Sequence, residues 1–140
     1  MRLDARLIGY INTFESLTGA HVKDCFFQKG TILVFVVLSG YLGKAVGKNG
    51  IYVKKISHKL GHHLRIIEFN TDAFVFVRNI FHPLKGFSTS MNNGKITIST
   101  HDRKLLGKIY GRNKTNLKIS NEIIKRYFKE LEIVVNNRVE

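Results

Sequence analysis

A nine-residue stretch, Leu42-Gly-Lys-Ala-Val-Gly-Lys-Asn-Gly50, returns in altered form 64 positions later as Leu106-Gly-Lys-Ile-Tyr-Gly-Arg-Asn-Lys114. The same offset carries the turn Lys29-Gly30 onto Asn93-Gly94, and Ile32 and Val34 onto Ile96 and Ile98. It also carries the apolar helix positions Ile11 and Leu17 onto Val75 and Phe81. A fixed period of this size means one supersecondary unit used twice. It divides the 140 residues into domains 1–70 and 71–140. Units so small bury a modest core and gain stability by packing together. No flexible linker parts them, because Asn70-Thr71-Asp72 reads as a helix N-cap. A rigid tandem is expected.

Periodicity supplies the elements. Leu3, Leu7, Ile8, Ile11, Phe14 and Leu17 recur at helical spacing and stop at Gly19. Val22 to Gln28 and Thr31 to Val37 read as strands of a hairpin through Lys29-Gly30. Tyr41 to Val46 make a short helix, and Val53, Ile56 and Leu60 form the apolar stripe of a longer one that ends at Gly61. His63 to Phe69 make a third strand. The second unit repeats this order, with a helix over Asp72 to His82 despite the strand propensity of Ala-Phe-Val-Phe-Val. A hairpin through Asn92-Asn93-Gly94, helices over Asp102 to Tyr110 and Thr115 to Phe128, and a strand over Leu131 to Val135 follow. Each unit is α-β-β-α-α-β, an α+β fold with a three-stranded sheet covered by helices.

Charge narrows the partners. Twenty-three Lys and Arg face ten Asp and Glu, for a formal net charge of +13. Cys25 to Ile67 hold seven basic residues and no acid, and His101 to Lys129 hold nine against Asp102 and Glu122. A one-sign field beside glycine loops favours a polyanion, nucleic acid first among them, over a merely solvated helix face. The longest apolar run, Thr31 to Leu38, is too short to span a bilayer. Asp4 and Glu15 interrupt the N-terminal pattern, and no signal-peptide layout is present. Cys25 stands alone, so neither a disulfide framework nor a thiolate zinc cluster forms. A soluble, cytoplasmic chain without membrane contact is expected.

Gly47-Lys48-Asn49-Gly50 fits G-x-x-G between two helices. Glycine at both ends permits a sharp turn and close approach of another backbone. The helix that begins near Ile51 points its free N–H groups and positive dipole end at the loop. Lys48 adds charge and Asn49 hydrogen-bonding groups, with Lys44 and Lys54 in support, and together they form a phosphate-contacting edge. Val46, Ile51, Val53, Leu64 and Ile66 are candidates to line an adjoining apolar groove. A Walker loop is excluded, since Leu42 stands five before Gly47-Lys48 and Leu38 five before Gly43-Lys44. The spacing Gly43, Gly47, Gly50 also fails the G-x-G-x-x-G fingerprint.

This loop, its flanking helices, its basic surround and its degenerate copy resemble the KH domain in its type II arrangement. In that family G-x-x-G clamps about four single-stranded nucleotides while a helix–strand groove reads the bases. Two such domains without a linker are similar to archaeal NusA-like transcription factors. Leu42-Gly-Lys-Ala-Val-Gly-Lys-Asn-Gly-Ile-Tyr-Val-Lys-Lys-Ile56 is the sharpest match. The resemblance implies single-stranded RNA as ligand and a non-catalytic part in transcription termination or antitermination. Binding would rest on Lys44, Gly47, Lys48, Asn49, Gly50 and Lys54. In the second copy it would involve Gly111, Arg112, Asn113, Lys114 and Lys118. There, Lys114 replaces the final glycine and puts a Cβ where positive φ is expected, so phosphate contact should dominate over base reading. A monomer is expected, and RNA polymerase and ribosome both remain open as partners.

Other chemistries fit less well. His58 and His62 are four apart, but Gly61 interrupts the helix that would align them for a metal, and surface histidines are the simpler reading. Cys25, beside Phe26-Phe27 on a strand, reads as a small core residue rather than a nucleophile. Asp24, Glu68, Asp72 and Asp102 scatter near element ends, where capping or solvation explains them, so no cofactor, metal or enzyme activity is expected. Lys85-Gly86-Phe87 begins like an RRM signature and fails at Ser88. Most Phe read as core, and Tyr41, Tyr52 and Tyr110 are the better candidates for nucleotide contact. A protein-docking scaffold on RNA polymerase is the alternative. It would be insensitive to salt where RNA binding is not.

Overall fold

The structure is a computed structural model describing residues 5–136. Leu3 of the helical pattern, and Asp4, lie outside the described residues. The chain divides into two compact units between Asn70 and Thr71. Among the described residues, no helix is long and apolar enough to cross a membrane.

The first unit runs α1 (Ala5–Thr18), β1 (Val22–Gln28), β2 (Ile32–Val37), α2 (Leu42–Val46), α3 (Ile51–Leu60) and β3 (His63–Glu68). Lys29 and Gly30 carry positive φ of 55° and 73°. This is the mirror-image turn that matches the twist of antiparallel strands. It pairs Gln28 with Ile32. β3 joins the other side of β2 in parallel, Leu33 opposite Leu64 and Phe35 opposite Ile66. Parallel pairing demands a long crossover. α2 and α3 supply it, so the glycine loop is the bend between the two crossover helices.

Leu33, Phe35 and Val37 of β2 meet Leu7 and Phe14 of α1, Ala45 of α2 and Ile56 of α3. Phe14 and Phe35 stack with centroids 4.2 Å apart. Burying each ring is worth about 2–3 kcal/mol. Cys25 lies in the same core. α1 departs from the sequence expectation: Ile8 and Leu17 are exposed, 47% and 38%, while Thr18 is buried and donates to the Phe14 carbonyl at 2.8 Å. Gly19 ends the helix with φ 74°.

The second unit runs α4 (Ala73–Phe81), β4 (Ser88–Asn92), β5 (Lys95–Ser99), α5 (Arg103–Tyr110), α6 (Thr115–Tyr127) and β6 (Glu132–Val135). Its sheet has the order β4-β5-β6, antiparallel then parallel. Ile96, Ile98, Ile109, Ile123, Ile124 and Ile133 are buried. α4 forms over the strand-prone sequence because Asp72 caps it, accepting from the Phe74 N–H at 2.9 Å. It also buries Phe76, Val77, Ile80 and Phe81 on one side. The 64-residue offset fails here. Leu17 is exposed where Phe81 is buried, and Phe14 is buried where Arg78 is exposed. The link to the first strand is also longer, residues 82–87 against 19–21.

Two further expectations need revision. Asp24 is neither a cap nor solvated. It sits inside β1 beside a register shift, fully buried, accepting from the Cys25 N–H at 2.8 Å. His62 is not simply a surface group. Its ring lies edge-on to Tyr10 and Phe27, 5.8 and 5.0 Å between centroids, and 3.4 Å from the Tyr10 hydroxyl.

Candidate nucleic-acid interface

Glu68, at the end of β3, accepts from the N–H groups of Gly40 and Leu42, both at 3.2 Å, and pins the entry to α2. α2 closes where the Gly47 N–H donates to the Gly43 carbonyl at 3.0 Å. A single 3-10 turn over Lys48–Gly50 follows, and α3 begins at once. The second copy is the same construction, Gly111 N–H to Gly107 carbonyl at 2.9 Å and a 3-10 turn over Arg112–Lys114.

The two loops share one backbone conformation. Gly47 and Gly111 stand at φ/ψ of 75/169° and 69/176°, and Asn49 and Asn113 at 57/26° and 56/32°. Gly50 and Lys114 stand at 72/21° and 60/22°. Lys114 therefore occupies the left-handed region that suits glycine, at a cost of about 1 kcal/mol. Asparagine is among the residues that tolerate that region best, which accounts for Asn49 and Asn113.

The first glycine of each loop is required by packing. A Cβ on Gly47 would fall 2.5 Å from Tyr52 Cδ2 and 3.0 Å from Ile51 Cγ2. On Gly111 it would fall 2.6 Å from Asn116 Cγ. Asn116 Nδ2 in turn donates to the Lys108 carbonyl at 3.0 Å, closing the end of α5. Around Gly50 the space is open. Close approach by a ligand backbone thus has room at the second glycine, whereas Tyr52 occupies the first. Sequence reasoning missed this role for Tyr52. The signal was its place five residues after the glycine, where Asn116 stands in the other unit.

Each predicted cation is exposed: Lys44, Lys48 and Lys54 in the first unit, and Arg112, Lys114 and Lys118 in the second. Among the described residues, no carboxylate pairs with any of them. Lys44 Nζ lies 5.8 Å above the Tyr41 ring and Lys114 Nζ 5.7 Å above Tyr110. These tyrosines thus orient cations beside the loops. No side chain caps the N-termini of α3 or α6. Those helix ends direct a positive dipole end at the loop. Leu64 and Ile66 lie half-buried on the helix-covered face of the edge strand β3, packed against the core, with Val46 and Val53 half-buried and Ile51 exposed. Apolar surface is therefore present beside the first loop.

No protein-family model matches the chain. It is 28% identical to the probable transcription termination protein NusA of Methanocaldococcus jannaschii over 143 aligned residues, covering 99% of this chain and 78% of that protein. The protein of the same name from Thermoplasma acidophilum is 26% identical, covering 95% of this chain and 94% of the relative. A 39% match to the Methanococcus vannielii protein of that name covers 61% of this chain and 49% of the relative. The fold is similar to the crystal structure of APE1850, with a TM-score of 0.75 and 24% identity, over 96% of this chain and 100% of that one. The sequence likeness of this chain is thus to the archaeal NusA-like proteins, over most of its length.

Proposed function

We propose that the chain is a tandem of type II KH domains that binds single-stranded RNA through its two G-x-x-G loops. In this reading it acts without catalysis in transcription termination or antitermination in the cytoplasm, on nascent RNA. The observation that carries the reading is the loop pair: one backbone conformation built twice, each tipped by exposed cations that no carboxylate among the described residues pairs, and followed by a helix N-terminus without a side-chain cap. Alternating glycine, cation and asparagine at such a bend suits a sugar-phosphate strand. The names of the archaeal relatives support the transcriptional role.

The test is a titration of short single-stranded RNA and DNA at two salt concentrations. Between 50 and 200 mM salt, affinity falls about 100-fold if about five phosphates are held. A salt-independent association with RNA polymerase and no RNA binding would favour the docking scaffold instead.

Lys114 separates stability from binding. Lys114→Gly relieves the left-handed backbone and raises the unfolding free energy by about 0.5–1 kcal/mol, less some chain entropy. The same change removes a loop cation and weakens RNA several-fold. Thermal melts and RNA titration of one sample check both. A variant that gains stability and keeps full RNA affinity removes Lys114 from the interface.

A further inference from the structure

The link between α4 and β4 breaks the internal repeat, and a cavity of about 400 Å³ opens beside it. In the first unit the equivalent link is three residues long, with Ala20 fully buried. Two of the lining residues, Arg78 and Phe87, stand 64 positions after Phe14 and Lys23, so the repeat supplies neither the cation nor the ring. The cavity is not a by-product of the shared architecture, and it is lined by no residue of either loop.

Its lining has two characters. Arg78, His82 and Lys85 are exposed nitrogen-bearing side chains, and no carboxylate is present among the lining residues. Leu84 and Phe87 are half-buried and form an apolar wall. Phe87 is held edge-on to Phe81, centroids 6.0 Å apart, so its ring is a fixed platform. The Asn79 and Phe81 carbonyls, at the negative end of α4, are engaged by the N–H groups of His82 and Leu84 at 3.3 and 2.8 Å. This weakens the repulsion that a helix C-terminus would exert on an anion. A volume near the low end of the ligand-pocket range, about 300–1,000 Å³, suits a single small molecule rather than a folded element.

The geometry points to a nucleotide-binding pocket in the second unit, separate from both loops. Its ligand carries a phosphate, gripped by Arg78 and Lys85 with the His82 imidazole beside them. It also carries a planar base, laid against Phe87 and Leu84. Charge complementarity selects the phosphate. The aromatic wall selects the base, because every base offers a π-face. Lys85-Gly86-Phe87, which begins like an RRM signature and then departs from it, finds its use here as part of a pocket rather than of a sheet surface. The proposal goes beyond the loop reading and does not depend on it.

The test is an NMR titration of amide shifts in the whole protein with the four ribonucleoside 5′-monophosphates, inorganic phosphate and uridine. Saturating shifts at Asn79, Lys85, Gly86 and Phe87 are expected with a monophosphate, and weaker ones with uridine. The double variant Arg78→Glu/Lys85→Glu, at two exposed positions, lowers monophosphate affinity at least tenfold. Phe87→Leu weakens the monophosphate several-fold and leaves inorganic phosphate unchanged. Lys48→Asp/Asn49→Asp leaves the pocket's affinity intact, so failure here is distinct from failure of the loop reading. In that loop variant, a short RNA that displaces the monophosphate identifies the ligand as one residue of a chain. An RNA that does not displace it identifies a free nucleotide. Shifts confined to the loops, an affinity that survives charge reversal, or inorganic phosphate binding as well as the nucleotide would each overturn the proposal.

Discussion

Alanine at Gly47 lowers the unfolding free energy by about 3 kcal/mol. The backbone at φ 75° and ψ 169° lies in a region open essentially to glycine alone, and holding another residue there costs about 1–3 kcal/mol. The new Cβ also falls 2.5 Å from the Tyr52 ring, which packs against the core and has little freedom to retreat. For a unit of this size the melting temperature drops by more than about 10 °C. Gly50 is the internal control. Its left-handed conformation is shared by Lys114, and beyond its two chain neighbours no residue comes within 4 Å of a Cβ built there. Gly50→Ala therefore costs only about 1 kcal/mol. Urea unfolding of the two variants measures the contrast. In a Tyr52→Ala background, Gly47→Ala costs only the backbone part, because the steric part leaves with the ring. Equal losses at Gly47 and Gly50 would show that Tyr52 does not enforce the first glycine.

Lys48→Asp combined with Asn49→Asp weakens single-stranded RNA about 100-fold, or about 2.7 kcal/mol. The change turns a cationic loop tip into a doubly anionic one, directly before the uncapped N-terminus of α3. Both side chains are exposed, and aspartate tolerates the left-handed φ of 57° at position 49. Stability therefore stays within about 0.5 kcal/mol of the parent. A loss of RNA binding is then a loss of contact, not of fold. The slope of log affinity against log salt becomes shallower by about one for each phosphate contact removed. Fluorescence anisotropy at two ionic strengths reads both quantities. Unchanged affinity would make the first loop purely architectural and leave the RNA-binding reading to the second loop alone.

Much of the architecture could be read in the sequence because it is written in neighbouring residues. The turn Asn93-Gly94 carries its own φ preference and Gly30 supplies it in the other hairpin; both turns form with positive φ at each position, Lys29 included. Asp72 and Asp102 each cap a helix through N–H groups two or three residues ahead. The alternation that marks Leu33, Phe35 and Val37 as one face needs nothing beyond the pleat. The loop residues are legible for the same reason: glycines, cations and a following helix are all local.

What failed was whatever depends on a surface supplied from elsewhere in the chain. Leu17 and Phe81 occupy matching positions in the repeat, yet one is exposed and the other buried. Asp24 lies fully buried where a polar strand residue suggested solvent. The ring of Tyr52 fills the space a Cβ would need at Gly47, a packing role that residues adjacent in sequence do not announce.

The sequence alone determined the doubled α-β-β-α-α-β order, the mirror-image turns, the capped helices and the exposed cationic loops. Propensity, periodicity and charge act over a few bonds and do not wait for tertiary packing. Only the folded chain decided which apolar residues are buried, why Gly47 and Gly111 must lack a Cβ, that Lys114 keeps the conformation of the glycine it replaces, and that the longer α4–β4 link opens a cavity. Those outcomes are set by excluded volume between residues brought together by the fold, and excluded volume has no period to read.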